Sequence, residues 1–150
     1  MKFHHNSFFE KYCHFLLQKG STYHLCLLFL PMIYGKQLLT VENLKNARGE
    51  LHPVQQAMVD TNGSQCGYCT PAQILAAKSL LEKNPNPSEE QVRDAIAGVL
   101  CRCTGYLKPV QAVLKAAAEM RGDEPFDLDA INWDFGAPKK FDHARRVAAG

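Results

Sequence analysis

From residue 49 onward the apolar positions recur at helical spacing. Val54, Ala57 and Met58 mark one face of a helix that His52-Pro53 opens and Asn62-Gly63 ends. A second helix starts at Thr70-Pro71-Ala72-Gln73, a sequence of capping-box form with Pro at the first position. Ile74, Ala77, Leu80 and Leu81 carry it to the break at Asn84-Pro85-Asn86-Pro87. Ser88-Glu89-Glu90-Gln91 is another capping box, followed by the stripe Val92, Ala95, Ile96, Val99 and Leu100. A fourth helix follows Pro109, with Val110, Val113, Leu114 and Ala117 facing inward, and stops near Gly122. Four short helices with tight connections predict a compact, mainly α, four-helix bundle-like domain over residues 49–122.

The flanks read differently. Residues 1–25 scatter His4, His5, His14 and His24 among Phe3, Phe8, Phe9 and Phe15 with no clean period, and are assigned no structure. Between residues 26 and 48, apolar runs at 26–30 and 38–41 flank the Gly35-Lys36 turn and predict a small β-hairpin. Residues 123–150 pass from Asp123, Glu124, Asp127 and Asp129 through Trp133 and Phe135 to a basic stretch, which predicts a linker or extended arm.

Composition narrows the classes without choosing one. With 17 basic and 15 acidic residues the net charge is +2, which argues against a nucleic-acid partner. The apolar run around Pro31 is about half the length of a membrane span and lacks a cleavage pattern, so neither membrane insertion nor a signal peptide is expected. With no secretory signal, the six cysteines point to a reduced compartment, by default the cytoplasm, and to metal use.

The chemistry concentrates in Cys66-Gly67-Tyr68-Cys69 and Cys101-Arg102-Cys103, two close pairs separated by 31 residues. Each pair precedes a predicted helix. Unpaired N–H groups and the positive end of the macrodipole there favour thiolates and an anionic centre. On spacing alone three readings stay open: an iron–sulfur cluster, a closed tetrahedral zinc site, and disulfides or unligated thiols.

Gln65-Cys66-Gly67-Tyr68-Cys69-Thr70-Pro71 and Leu100-Cys101-Arg102-Cys103-Thr104-Gly105-Tyr106 resemble the helical [2Fe–2S] domain of the molybdenum hydroxylases. These are the xanthine dehydrogenase, aldehyde oxidoreductase and carbon monoxide dehydrogenase family. Leu51-His52-Pro53-Val54-Gln55 and Asn84-Pro85-Asn86-Pro87 fit the same pattern, which runs from about Leu38 to about Met120. The resemblance implies that Cys66, Cys69, Cys101 and Cys103 ligate one [2Fe–2S] cluster, and that Gln65 and Cys103 lie near the pterin on the electron entry path. It implies no bond-making chemistry on this chain, hence no catalytic residue. Its implied partners are a molybdopterin-binding large subunit or domain and an FAD-binding subunit. The functional alternatives are a zinc-stabilised helical interaction module and an iron–sulfur redox sensor.

The resemblance also exposes departures. The family's N-terminal half is a β-grasp ferredoxin domain with a second cluster on C-x4-C-G-x-C and a fourth cysteine. That motif is absent. Cys26 resembles the fourth cysteine, so residues 26–48 read as a remnant of the β-grasp domain, while Cys13 matches nothing. Cys13 and Cys26 alone cannot hold a second four-cysteine cluster, and His14 and His24 lack a pattern to replace the missing ligands. Ala72 stands where the family usually has glycine, and Val99 where asparagine is common. Gly136-Ala137-Pro138-Lys139-Lys140-Phe141-Asp142 resembles the segment opening the molybdopterin-binding portion, so residues 123–150 are expected to reach toward such a partner, and the chain to be part of a longer fused oxidoreductase. The substrate is not encoded here, because its pocket would lie elsewhere.

Overall fold

The computed structural model describes residues 15–18, 21–24, 29–46 and 48–123. Cys13, Cys26, the histidines before residue 15 and the segment after residue 123 lie outside them. Two strands, β1 (Phe15–Gln18) and β2 (Ser21–His24), pair antiparallel with Phe15 opposite His24 and Gln18 opposite Ser21. This hairpin lies upstream of the expected one. Of the expected strands, residues 26–28 lie outside the described residues and Leu39 makes an isolated bridge, while the chain around them forms a helical turn α1 (Leu30–Ile33) and a 3-10 turn (Val41–Leu44). Pro31 explains part of this: it is tolerated in a first helical turn and removes a donor that a strand would need.

The four expected helices are present: α2 (Pro53–Asp60), α3 (Thr70–Lys83), α4 (Glu89–Ile96) and α5 (Leu107–Arg121). Helix α2 opens with a capping box not foreseen from the sequence. The His52 Nδ1 accepts from the Val54 N–H at 3.2 Å, and the Gln55 Oε1 accepts from the His52 N–H at 3.0 Å. The helix closes as Asn62-Gly63 suggested: Gly63 N–H reaches the Met58 carbonyl at 2.9 Å and Asn62 N–H the Val59 carbonyl at 3.1 Å. This is a Schellman closure, with Asn62 left-handed at φ 52°. A Cβ on Gly63 would sit 2.8 Å from the Met58 sulfur, so a larger residue where the chain enters the cysteine loop would require the buried Met58 side chain to shift.

Helix α4 carries the capping box read at Ser88. Its hydroxyl accepts from Gln91 N–H at 3.3 Å, and Gln91 Oε1 accepts from Ser88 N–H at 2.9 Å. The capping box read at Thr70 does not form. Cys69 takes the N-cap position without a side-chain cap, and the Thr70 hydroxyl turns to Ser64 Oγ at 2.9 Å instead. Helix α5 begins two residues before Pro109, which is accommodated because first-turn N–H groups have no intrahelical partner.

The core gathers Val54, Ala57 and Met58 of α2, Ile74, Leu75, Ala77 and Leu81 of α3, Val92 and Ile96 of α4, and Val110, Val113 and Ala117 of α5. Ala72 and Val99, the two family departures, are both buried in it. Leu100, expected on the α4 stripe, lies beyond the helix end and is 89% exposed. Across the bundle Lys115 bridges from α5 to Asp60 at the end of α2, and Arg121 Nη1 donates to the Pro85 carbonyl at 2.8 Å. The hairpin lies against α3. No helix among the described residues is long and apolar enough to cross a membrane.

Candidate metal centre

The bundle brings its two cysteine loops together at one end. The first is a tight loop between α2 and α3, in which Gly67 adopts φ 80° and Thr70 N–H reaches back to the Gly67 carbonyl at 3.4 Å. A left-handed residue between Cys66 and Cys69 is what glycine permits at low cost. The second loop joins α4 to α5 and is held by Tyr106. Its hydroxyl accepts from Cys101 N–H at 2.7 Å and donates to the Val99 carbonyl at 2.9 Å. Tyr106 itself is left-handed at φ 66°, unusual for a bulky residue, and follows Gly105 at φ 61°. Thr104 completes the loop, its hydroxyl 3.0 Å from Cys101 Sγ and accepting from Tyr106 N–H at 3.2 Å.

All four predicted cysteines converge as free thiols, in two cross-loop pairs. The Cys103 Sγ donates to Cys66 Sγ at 3.4 Å. Cys69 and Cys101 lie near enough for each thiol to shift the other's ionisation. Each pair joins one cysteine of the first loop to one of the second. Within each, one thiol is readied for ionisation and the other held protonated. The Tyr68 backbone N–H, then the Cys103 thiol, hold Cys66 below the usual thiol range, while the Cys66 thiolate pushes Cys103 up. Burial, then the neighbouring Cys101 thiol, pushes Cys69 up to about 12. Burial also opposes ionisation of Cys101, but the Thr104 hydroxyl and backbone N–H groups outweigh it and bring that thiol below its ordinary value.

The helix-terminus expectation therefore holds only in part. Cys69 occupies the α3 N-cap, yet burial and the neighbouring cysteines outweigh the one backbone donor that favours its thiolate. Cys101 and Cys103 lie a few residues upstream of α5, whose N-cap is Tyr106, so local donors act on them more than the helix end does.

Four thiols that ionise on metal binding form a soft donor set suited to iron–sulfur or zinc chemistry. Among the described residues no group of three or more His, Cys, Asp or Glu side chains is placed to hold one metal ion. The pairwise arrangement suits a centre with two metals, each taking one pair. Gln65 is exposed beside Cys66, and Arg102 is exposed between the two cysteines of the second loop, two residues after exposed Leu100. With Tyr68, 55% exposed, they leave the Cys66 and Cys103 edge open to solvent. Tyr106 and Thr104 were missed as site residues. The available signal was their place three residues and one residue after Cys103, in Thr104-Gly105-Tyr106.

The segment that carries both cysteine loops is similar to known proteins. Residues 40–114 match the family model described as the [2Fe-2S] binding domain. Aldehyde oxidase 1 of Cavia porcellus is 47% identical over 81 residues, which is 54% of this chain and 6% of that protein. The aldehyde oxidoreductase from Desulfovibrio gigas superposes with a TM-score of 0.69 at 37% identity, covering 77% of this chain and 13% of that one. Quinoline 2-oxidoreductase from Pseudomonas putida 86 gives a TM-score of 0.66 at 32% identity, over 77% of this chain and 74% of the other. The chain thus spans 6% of the length of the Cavia porcellus relative and most of the quinoline 2-oxidoreductase chain.

Proposed function

Since the chain belongs to the [2Fe-2S] binding domain family, we propose that it is the electron-transfer component of a molybdenum-dependent hydroxylase or dehydrogenase. The observation that carries this reading is the convergence of two cross-loop thiol pairs from segments 31 residues apart. Cys66 and Cys103 would hold one iron, and Cys69 and Cys101 the other. When bound, a [2Fe–2S] cluster supplies one-electron redox chemistry.

The chain's own residues set the conditions for that role. Tyr106 and Thr104 fix the second loop, so the thiols are presented without a large rearrangement. Burial of Cys69 keeps its side away from water, while the Cys66 and Cys103 edge faces outward. A molybdopterin-binding subunit or domain would cover that open edge, with Gln65 and Cys103 nearest the pterin, and an FAD-binding subunit would accept electrons downstream. Residues 123–150 would reach toward the molybdopterin partner. The reduced cytoplasm is the compartment in which the four thiols would remain available to metal. The relatives' names support an aldehyde or N-heteroaromatic substrate on the partner, since they include aldehyde oxidase, aldehyde oxidoreductase and quinoline 2-oxidoreductase.

Iron, zinc and acid-labile sulfide per chain, measured after anaerobic purification, test the reading. About two irons and two sulfides are expected from one four-thiolate cluster. About four of each would show that the N-terminal segment holds a second cluster. Zinc without sulfide would replace electron transfer with a structural metal module.

A further inference from the structure

Gln73 is a buried amide with no assigned purpose. It is 0% exposed, and neither its Nε2 nor its Oε1 has a hydrogen-bond partner among the described residues. Buried side-chain polar groups are nearly always paired, so an amide with both ends unpaired calls for an explanation. Packing does not provide one. Its helical neighbours Ala72, Ile74, Leu75, Ala76 and Ala77 are all buried and apolar, and a Met or Leu would fill the same space without a polar cost.

The position of Gln73 does provide one. Its backbone N–H donates to the Cys69 carbonyl at 3.0 Å, so it lies one turn into α3 from the cysteine at the N-cap. Long side chains on a helix lean back over the preceding turn. That turn begins at Cys69, the more enclosed of the cysteines, on the protein side of the centre. An amide placed there, with two free N–H groups and no acceptor in the metal-free chain, can serve a sulfur that carries negative charge only once metal is bound.

We propose that Gln73 is a positioning and tuning residue for the centre, donating a side-chain N–H to the sulfur atoms on its Cys69 side when the thiols close on the cluster. This rests on the iron–sulfur reading above. A hydrogen bond to a cluster sulfur favours the more negatively charged, reduced form and raises the potential. Gln111 is also buried, with an unpaired Oε1, but that atom is an acceptor and cannot serve a sulfur anion.

The test uses the full chain with its cluster assembled anaerobically, and compares wild type with Gln73→Met, Gln73→Leu and Gln111→Leu. The midpoint potential is read by an EPR-monitored redox titration, alongside iron and sulfide content. Both Gln73 variants are expected to keep the cluster and to lower the reduced-to-oxidised ratio at fixed potential about tenfold, ~59 mV for a one-electron couple. Gln111→Leu is expected to leave the midpoint in place. Retained iron with an unchanged midpoint in the Gln73 variants overturns the proposal and leaves the iron–sulfur reading intact. A wild-type chain that assembles no cluster sinks that reading, and the proposal with it. Should neither Gln73 variant fold, pulsed EPR on a Gln65→Glu chain with 15N-labelled glutamine amides decides. A 15N coupling to the reduced cluster supports the donor, and its absence overturns it.

Discussion

The Tyr106 hydroxyl stands 2.7 Å from the Cys101 backbone nitrogen and accepts its N–H, while donating its own proton to the Val99 carbonyl at 2.9 Å. One phenol thus satisfies a backbone donor and a backbone acceptor in the loop that enters the second cysteine pair. It does so from a left-handed backbone that costs a bulky residue about 1–3 kcal/mol. Removing the oxygen leaves a donor and an acceptor unpaired in a half-buried setting. Tyr106→Phe is expected to destabilise the chain by about 1–3 kcal/mol. It should also hasten iron loss to a chelator. Urea melts and the rate of iron release measure both, and unchanged release with lowered stability would make Tyr106 a packing residue only.

The two thiol pairs predict unequal roles for the six cysteines. Cys66→Ser, Cys69→Ser, Cys101→Ser and Cys103→Ser should each lower cluster content at least several-fold, because on the proposed reading each pair would lose one of the two thiolates that hold its iron. Cys13→Ser and Cys26→Ser should leave iron and sulfide at the wild-type level. Visible absorbance with iron and sulfide assays reads the set. Iron loss in the Cys26 variant would place a ligand outside the described residues.

His52 makes the first turn of α2 sensitive to pH. Burial, then the charge on Lys78, holds its imidazole below the ordinary value of 6.5, and Nδ1 must stay unprotonated to accept from Val54 N–H. The folded chain therefore binds fewer protons than the unfolded one just below pH 6.5, so stability rises with pH through that window. It is complete above the unfolded value and falls away as pH drops through the depressed folded one. His52→Asn keeps an N-cap acceptor without the titration and should flatten this slope, whereas His52→Ala should cost about 0.5–2 kcal/mol at neutral pH. Urea midpoints between pH 5 and pH 8 show which holds. A slope that persists in His52→Asn would assign it to another group.

How much of this was legible depended on whether the signal was local. Asn62-Gly63, Ser88 with Gln91, and the apolar stripes of α2 to α5 are decided within one or two turns, and the structure follows them. The convergence of the cysteine quartet was legible too, because close cysteine pairs just before helices leave a mark in sequence. Its division into Cys66 with Cys103 and Cys69 with Cys101 was not, since that depends on how two loops meet across the bundle. The strands at Phe15–Gln18 and Ser21–His24 were not legible, because they sit in a stretch without a clean period. Gln73 read as the closing half of a capping box at Thr70, and only its burial shows otherwise.

Ser88 and Thr70 present the same pattern, a hydroxyl followed three residues on by Gln, but different surroundings. At Ser88 the hydroxyl and Gln91 cap each other. At Thr70 the helix has already begun, Cys69 holds the N-cap, and Gln73 is turned into the core, so neither half of the box can form. The Thr70 hydroxyl instead ties Ser64 to the base of the cysteine loop at 2.9 Å. Ser88→Ala is expected to cost about 1 kcal/mol of global stability, as lost caps usually do. Thr70→Ala should cost less, because the bond it removes is between exposed hydroxyls that water can replace. Its effect should appear in faster hydrogen exchange of the residue 64–70 backbone. Equal losses of global stability in the two variants would restore Thr70 as a cap.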